Sequence, residues 1–275
     1  MSETQTSPIV AKFTDDEKNK VKEFKNLLPD ILNDVNVPKY TLWGVELNKD
    51  SQDEKLDVIL IKFLKARNFD VNQSKEMLTK SIKWRIEFKA DDLLSETFPD
   101  LYRKVGFIHK RDKENRPITY NLYGGLNNKE VFGNLDQFLK WRVQLMEKGI
   151  QEIDFVNVDQ CIQVHDYNSV AYSNYDNTVK TASKAVSTIF QDNYPEFLAV
   201  KFFVNVPRWG DWLFKFISMF LSEQTKKKFF VASSGGAKDA LLTLISEENL
   251  PTIYDGKSVV PELEENSTSN DDTAE

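Results

Sequence analysis

The sequence predicts an α/β fold in which a mixed, largely parallel sheet is flanked by helices, preceded by a small N-terminal all-helical domain. Between about residues 14 and 90, apolar residues recur at intervals of three and four, which is typical of amphipathic helices. After residue 104, short runs rich in β-branched and aromatic residues alternate with helical patterns. This repetition of strand, helix and strand indicates a sheet with parallel strands and helices on its faces.

The helical periodicity is clearest over residues 51–70. The apolar positions that define one helix face there are Leu56, Ile59, Leu60, Phe63 and Leu64. Asp70 then predicts the start of another helix, because Gln73 follows at the spacing of a capping box.

Four later segments predict strands. They are PITYNLYG (117–124), CIQVHDY (161–167), KFFVNVP (201–207) and KFFVAS (228–233). Helical patterns lie between them at about 132–150, 174–191 and 209–221. The third strand is a continuous apolar run that ends at Pro207, as expected for a strand covered on both faces.

The composition predicts four segments along the chain. These are a disordered N-terminus (1–10), a helical domain (11–95), a ligand-binding α/β domain (96–260) and an acidic disordered tail (261–275). The tail contains no aromatic residue and many acidic ones, so it cannot bury enough apolar surface to fold by itself.

Charge and cysteine content exclude several classes of protein. The net charge of −7 does not suit a nucleic-acid binder, which normally carries a basic domain. The single cysteine, Cys161, excludes an internal disulfide and fits a reducing compartment. We expect a cytoplasmic protein with at most peripheral membrane contact, because there is no signal peptide and no apolar run near the ~20 residues that span a bilayer.

The common catalytic motifs are absent. The sequence has no Walker A loop, no GxGxxG and no GxSxG, and its two histidines and one cysteine cannot build a typical zinc site. Aromatic residues make up 12% of the chain, which would suit a protein that encloses a large apolar ligand or one with a phenylalanine-rich core. We therefore expect a binding protein rather than an enzyme.

The segment QVHDYNSV (163–170) carries the most unusual side chains. On a strand, His165 and Tyr167 project from the same face roughly 7 Å apart, whereas Val164 and Asp166 project from the other. Histidine and tyrosinate both serve as ligands of haem iron. The alternative is a buried histidine and a buried tyrosine, each hydrogen-bonded to backbone, and the residues alone leave both interpretations open.

Arg142 interrupts the apolar stripe of a predicted helix in DQFLKWRVQLMEKG (136–149). A guanidinium in that position needs an anionic partner, which could be a ligand carboxylate or phosphate, or an internal Asp or Glu.

Residues 208–221 (RWGDWLFKFISMFL) predict a strongly apolar helix, followed by Lys226–Lys228. Such a helix suits either a membrane interface or a protein core.

These segments, in this order, resemble the CRAL-TRIO proteins, in particular the fungal Sec-fourteen-like phosphatidylinositol transfer proteins. The resemblance rests on KFLKARNFDVNQSKEML…KWR (62–85), NYPEFLAVKFFVNVP (193–207), FLSEQTKKKFFVASS (220–234) and ENLPTIYDG (248–256). It implies a CRAL-TRIO lipid-binding domain behind a helical domain, with a mobile helix that gates the cavity. It also implies that phosphatidylinositol is a ligand.

The resemblance assigns roles to individual residues. Glu196, after Tyr-Pro, and Lys228, before the last strand, match the family's contacts to the inositol headgroup. The family's Arg-Lys pair in the helical domain is Arg67-Asn68 here, which puts one headgroup contact in doubt.

Within this family the chain resembles the haem-binding branch of the fifth yeast Sec-fourteen homologue, through YNLYG, RVQLMEKG, QVHDY and KFFVNVP. This resemblance implies that haem b binds in the cavity with Tyr167 as the axial iron ligand and His165 beside it. Tyr123, Arg142 and Lys201 would complete the surroundings of the haem, with the two cations near its propionates. Arg67 stands where that branch can carry a tyrosine.

Three functions are consistent with these residues. The preferred one is a phosphatidylinositol transfer protein that also binds haem b and associates peripherally with endoplasmic reticulum or microsomal membranes. Such a protein could serve phosphoinositide homeostasis or the response to oxidants. The alternatives are a haem enzyme of peroxidase or catalase type, and a lipid-sensing scaffold for a lipid kinase.

Overall fold

The computed structural model describes residues 6–171, 176–207 and 228–264. The backbone contacts of this chain define two compact units. The first unit takes the chain up to Glu96 together with 142–160 and 181–197, and the second takes 97–141, 161–180 and the chain from Leu198 onwards. The predicted division after residue 95 lies beside the first boundary. The prediction did not include 142–160 and 181–197, which belong to the same unit as the N-terminal helices.

The first unit is largely helical, as predicted. Its elements are a 3₁₀ helix (Val10–Lys12), α1 (Asp15–Asn26), α2 (Leu28–Asp34), β1 (Thr41–Leu42), β2 (Val45–Glu46), α3 (Glu54–Lys65), α4 (Val71–Phe88) and a second 3₁₀ helix (Ala90–Ser95). The predicted start of a helix at Asp70 is confirmed, because the Asp70 carboxylate accepts a 2.9 Å hydrogen bond from the N–H of Gln73. Helix α3 is buried around most of its circumference, and its buried residues include Lys62 among seven apolar neighbours.

The N-terminal segment is more ordered than the sequence predicts. Ser7 is buried, its N–H donates to the Glu54 carboxylate at 2.6 Å, and its hydroxyl donates to the Val156 carbonyl at 2.8 Å. The expectation of disorder over residues 1–10 is therefore wrong for residues 6–10. The segment looks disordered by its polar composition, and its contacts could not be predicted because both partners lie far along the chain.

A buried ionic network lies in the first unit. The Arg85 guanidinium donates to the Glu147 carboxylate at 2.7 Å and also binds Asp91, while the Tyr194 hydroxyl donates to the same Glu147 oxygen at 2.5 Å. Burial alone would lower the pKa of Arg85, but the Glu147 carboxylate raises it above its ordinary value. Burial, together with Glu147, raises the pKa of Tyr194. The network therefore holds a charged Arg85 and a neutral Tyr194.

The second unit is built on one sheet. The elements that begin in it are α5 (Leu101–Val105), β3 (Gly106–Arg111), β4 (Pro117–Leu122), α6 (Asn128–Phe132), α7 (Leu135–Gln151), β5 (Cys161–Asp166), α8 (Asn177–Asn193), β6 (Leu198–Val206), β7 (Phe229–Ser233), α9 (Ala237–Leu242), a 3₁₀ helix (Thr252–Tyr254) and α10 (Pro261–Glu264). Helices α7 and α8 continue into residues of the first unit.

The sheet has the strand order β3-β4-β5-β6-β7. Strands β4 to β7 pair in parallel, and β3 pairs antiparallel with β4, so the prediction of a mixed, largely parallel sheet is confirmed. The four predicted strands correspond to β4 to β7. Strand β3 was not predicted, because its second half, His109–Arg111, is polar and resembles a loop.

One face of the sheet carries the core of the second unit. Its buried strand residues are Phe107, Ile118, Tyr120, Ile162, Val164, Phe202 and Val204. Ala237 and Leu241 of α9 pack on them, with Ile245, Leu250, Tyr254 and Val260 from the following segment. Because side chains alternate along a strand, this packing leaves His165 of β5 and Phe203 of β6 on the opposite face.

The predicted tail begins with ordered residues. Pro261–Glu264 form α10, and Leu263 packs against the core of the second unit, so the expectation of disorder is wrong for residues 261–264. The remaining tail and the predicted apolar helix at 209–221 lie outside the described residues. Helices α7 and α8 confirm the helical patterns predicted at 132–150 and, within the described residues, at 174–191.

The Arg85 network predicts a large loss of stability when one charge is removed. Glu147→Gln leaves the buried guanidinium without its carboxylate, so we expect the free energy of unfolding to fall by about 3 kcal/mol in urea denaturation. The control Glu76→Gln breaks an exposed pair with Lys80 and should cost less than about 1 kcal/mol. Equal losses in the two variants would contradict a stabilising role for the buried pair.

His109 predicts a pH dependence of stability in the second unit. Its Nε2 lies 2.8 Å from the Ser258 hydroxyl, and burial, followed by Lys110, lowers the pKa of His109 while Glu262 opposes the shift. Below the unfolded pKa of about 6.5, the unfolded chain takes up a proton that the folded chain resists.

We therefore expect stability to fall as the pH decreases from about 6.5, by at most ~1.4 kcal/mol per pH unit from this group. Urea denaturation between pH 7.5 and 5.5 should show a smaller fall for His109→Gln than for the unaltered chain. The same pH dependence in both proteins would contradict the assignment.

Candidate functional site

The candidate site lies where the parallel strands β4 and β5 end. Tyr123 follows β4 and Tyr167 follows β5, and both continue the ladder of the sheet. The Tyr123 N–H donates to the Asp166 carbonyl, and the Tyr167 N–H donates to the Val204 carbonyl, each at 3.0 Å. The carboxyl ends of parallel strands are the usual location of ligand sites in α/β sheets.

Tyr123, His165 and Tyr167 form one cluster on the face of the sheet opposite the core. The ring of Tyr123 lies 5.6 Å from that of His165 and 5.3 Å from that of Tyr167, measured between centroids. The prediction that His165 and Tyr167 project together is confirmed, since Phe203 contacts both rings, at 5.6 and 6.3 Å. His165 is buried and Tyr167 is half-buried.

Both ring nitrogens of His165 have hydrogen-bond partners. Its Nδ1 lies 2.7 Å from the Tyr123 hydroxyl, and its Nε2 lies 3.3 Å from Oε1 of Gln163. These distances fit a neutral imidazole in which Nε2 donates to the Gln163 amide oxygen and Nδ1 accepts from the Tyr123 hydroxyl. His165 is therefore hydrogen-bonded to two side chains of the second unit.

A tight turn holds Tyr167 in this cluster. The Asp166 carboxylate accepts from the Asn168 N–H at 2.7 Å and from the Asn205 side chain at 2.9 Å. A Cβ on Gly124 would lie 1.7 Å from the Asn168 carbonyl oxygen, so only glycine allows the two loops to approach this closely. The turn after β5 is thus held in place by contacts with the loop after β4 and with β6.

Apolar and cationic groups surround the cluster. Phe203 and Val206 are buried and pack with Phe229, Val231 and Tyr167. The Lys201 ammonium lies 5.4 Å from the centroid of the Phe203 ring. The second unit therefore brings together four of the five predicted haem-site residues, namely Tyr123, His165, Tyr167 and Lys201.

Arg142, the fifth, belongs to the first unit. It is buried on α7, with its guanidinium carbon 5.7 Å from the centroid of the Phe190 ring. The expectation of a guanidinium within an apolar helix face is confirmed, and its role towards a ligand anion stays a prediction.

The two predicted headgroup residues also lie in different units. Glu196 adopts a left-handed conformation with φ 54°, and its carbonyl accepts from Lys62 at 3.1 Å and from Gln160 at 3.3 Å. Lys228 immediately precedes β7, and its carbonyl accepts from the Lys201 N–H at 2.8 Å. In the helical unit, the Arg67 guanidinium donates to the Ala66 carbonyl and Asn68 is exposed.

Within the described ranges, no group of three or more His, Cys, Asp or Glu side chains could hold a metal. A groove of about 510 Å³ among the described residues is lined by Thr14, Phe69 and residues of α1, and by none of the predicted site residues.

Sequence reasoning missed several residues of both units. Phe203 and Gln163 complete the cluster, but their apolar or neutral side chains carry no signal of function. Lys62, which contacts Glu196, could have been noticed as a cation inside the apolar run ILIKFLK (59–65). Its partner could not be read from the sequence, since it lies 134 residues away.

Comparison with known proteins places these observations in a family. The CRAL/TRIO domain model matches residues 101–256, and the model of the CRAL/TRIO N-terminal domain matches residues 20–80. The chain is similar to the crystal structure of Sfh5, with a TM-score of 0.75, 33% identity and 85% of each chain covered.

Fungal and plant relatives are similar over most of the chain. The phosphatidylinositol transfer protein SFH5 of Kluyveromyces lactis is 39% identical over 86% of this chain and 82% of its own length. Patellin-5 of Arabidopsis thaliana is 36% identical over 91% of this chain, which spans only 38% of that relative. The family match, the sheet topology and the coverage of the fungal relatives agree, and the chain belongs to the CRAL/TRIO family.

Proposed function

We propose that this chain binds phosphatidylinositol and transfers it between membranes. The match to the CRAL/TRIO domain over residues 101–256 carries the proposal. Two relatives, from Kluyveromyces lactis and Candida albicans, are named phosphatidylinositol transfer proteins and cover at least 86% of this chain. Transfer makes and breaks no covalent bond, in keeping with the expectation that the chain is not an enzyme.

Phosphatidylinositol needs two kinds of contact. Its acyl chains have to stay out of water, at a cost of about 0.8 kcal/mol for each exposed CH₂ group, so the carrier has to cover them with apolar surface. Its headgroup carries a phosphate and hydroxyls, which require a cation and hydrogen-bond acceptors. We propose Lys228 for the phosphate and Glu196 for the inositol hydroxyls.

The proposed membrane contact is peripheral. Among the described residues, none of the helices combines the length and apolar character needed to cross a bilayer. We propose that transfer takes place at the cytoplasmic face of endoplasmic reticulum or microsomal membranes and supports phosphoinositide homeostasis.

A second proposal is that the chain binds haem b with Tyr167 as the iron ligand. The cluster of Tyr123, His165 and Tyr167 favours it, because these three rings lie together at the carboxyl ends of β4 and β5, on the sheet face opposite the core. A link to oxidant stress belongs to this proposal.

The residues present fit such a group. A tyrosinate is a known haem ligand, and the Phe203 ring beside Tyr167 gives a flat apolar surface for a macrocycle. Lys201 would suit a propionate. When bound, the haem would supply the ferric iron and the propionate charges. The chain itself would supply the phenol ligand, the apolar side chains beside it and this cation.

The resemblance to the haem-binding branch makes Tyr167, rather than His165, the proposed ligand. Both ring nitrogens of His165 already have partners, the Tyr123 hydroxyl at 2.7 Å and Gln163 at 3.3 Å. Coordination through His165 would break one of these bonds. We propose instead that Tyr123 and His165 orient each other and form a polar wall beside Tyr167.

Loss of Lys228 should weaken phosphatidylinositol transfer. In Lys228→Ala, one charge-assisted contact to the lipid phosphate is lost, so we expect transfer between vesicles at low phosphatidylinositol content to fall about tenfold. The control Lys257→Ala removes a surface lysine of the same unit, paired with Glu247 and Glu248, and should retain full transfer. Normal transfer by Lys228→Ala would remove this residue from the proposed site.

Loss of the Tyr167 hydroxyl should abolish haem retention. Protein expressed with a haem precursor should show a Soret band and bound iron, and Tyr167→Phe should lose both because phenylalanine offers no ligand atom. Tyr120→Phe is a matched control. Tyr120 projects into the core on the other face, and none of the described residues forms a hydrogen bond with its hydroxyl. Normal iron content in Tyr167→Phe would rule out this ligand.

A further inference from the structure

Lys62 is a buried cation on α3, at a position that an apolar side chain could also occupy. Its side chain is 1% exposed, and the buried residues around it on α3 include Ile61, Phe63 and Leu64. Removing an ammonium group from water is unfavourable until its partners compensate, and apolar replacements of such ions are often neutral or stabilising. Stability alone therefore does not account for a lysine at this position.

The contacts of Lys62 converge on the chain around Glu196. Its ammonium donates to the Asp159 carbonyl at 2.5 Å, to the Asp159 carboxylate at 2.8 Å and to the Glu196 carbonyl at 3.1 Å. It also lies 4.7 Å from the centroid of the Phe197 ring. All these residues belong to the first unit, so the cation joins α3 to the two later segments of that unit.

Glu196 needs such an anchor because its backbone is strained. With φ at 54°, it lies in the left-handed region, which is unfavourable for any residue other than glycine. The bonds from Lys62 and Gln160 to its carbonyl hold the peptide in this orientation. A return to the ordinary helical or extended region would turn the carbonyl away from Lys62 and redirect the Glu196 side chain.

We propose that Lys62 is a positioning residue for phosphatidylinositol recognition, because its ammonium holds the Glu196 backbone in the conformation that directs the carboxylate to the inositol headgroup. The inference rests on the proposed function, since it requires Glu196 to contact that headgroup. Lys62 itself does not touch the lipid.

The test measures transfer from phosphatidylcholine vesicles that contain a graded fraction of phosphatidylinositol. Lys62→Met keeps the length and apolar stem of the side chain but removes the three hydrogen bonds. We expect the phosphatidylinositol fraction that gives half-maximal transfer to rise about fivefold to tenfold, with the maximal rate nearly unchanged. A defect that only reduces the amount of folded protein would lower the maximal rate and leave the half-maximal fraction in place.

Two controls and one double variant complete the design. Lys65→Met removes an exposed lysine of the same helix and should match the unaltered chain. Glu196→Ala should raise the half-maximal fraction, and adding Lys62→Met to it should cause no further rise, because both changes remove the same contact. If Lys62→Met does not fold, Lys62→Arg retains the charge with a different donor geometry and should show a smaller shift of the same kind.

The outcomes separate the inference from the proposed function. If Glu196→Ala raises the half-maximal fraction but neither Lys62 variant does, the positioning role is wrong and the headgroup contact stands. If Glu196→Ala has no effect, the headgroup contact and the positioning role are both wrong. Additive effects of Lys62→Met and Glu196→Ala would show that Lys62 acts independently of Glu196, which also overturns the inference.

Discussion

Parallel pairing of β5 with both β4 and β6 is the constraint on which the second unit depends. This central strand places Ile162 and Val164 in the apolar core, and it places His165 on the opposite face beside Phe203. Because side chains alternate, a slip of one residue in the register would bury the imidazole in the core and expose Val164. The same hydrogen bonds that specify a stable core therefore also specify where the polar rings lie. One face of the sheet carries the larger apolar core, and the other carries the polar rings beside a smaller apolar cluster.

Buried charge has a comparable role in the first unit. Lys62 and Arg85 are each about 1% exposed, and each is held by groups from segments far along the chain: Asp159 and Glu196 for Lys62, Glu147 for Arg85. Apolar side chains would fill these positions at a lower desolvation cost. Hydrogen-bonded cations, unlike apolar contacts, impose direction on their partners. This property explains how residues 142–160 and 181–197 can be fixed among helices from the other end of the sequence.

Local patterns in the sequence were sufficient for much of the fold. Alternation and apolar runs predicted strands β4 to β7, the capping spacing at Asp70 predicted a helix start, and strand periodicity placed His165 and Tyr167 on one face. Strand β3 was not predicted, because its hydrogen bonds to β4 rather than its apolar content make it a strand. Ser7 looked disordered because its partners, Glu54 and Val156, are distant in sequence. The contact between Lys62 and Glu196 could not be predicted either, because the two residues are distant in sequence. In addition, its acceptor is a backbone carbonyl, which the pattern of side chains does not reveal.

The turn after β5 explains how one scaffold can support both proposed ligands. Asp166, Asn168 and Asn205 fix the path of the chain through hydrogen bonds that do not involve the aromatic cluster, and Gly124 leaves room for that path. Tyr167 is therefore held by its backbone, so the choice of side chain there is nearly independent of the fold. The proposed lipid transfer would then depend on the whole domain, and the proposed haem binding on a few residues at the carboxyl ends of β4 and β5.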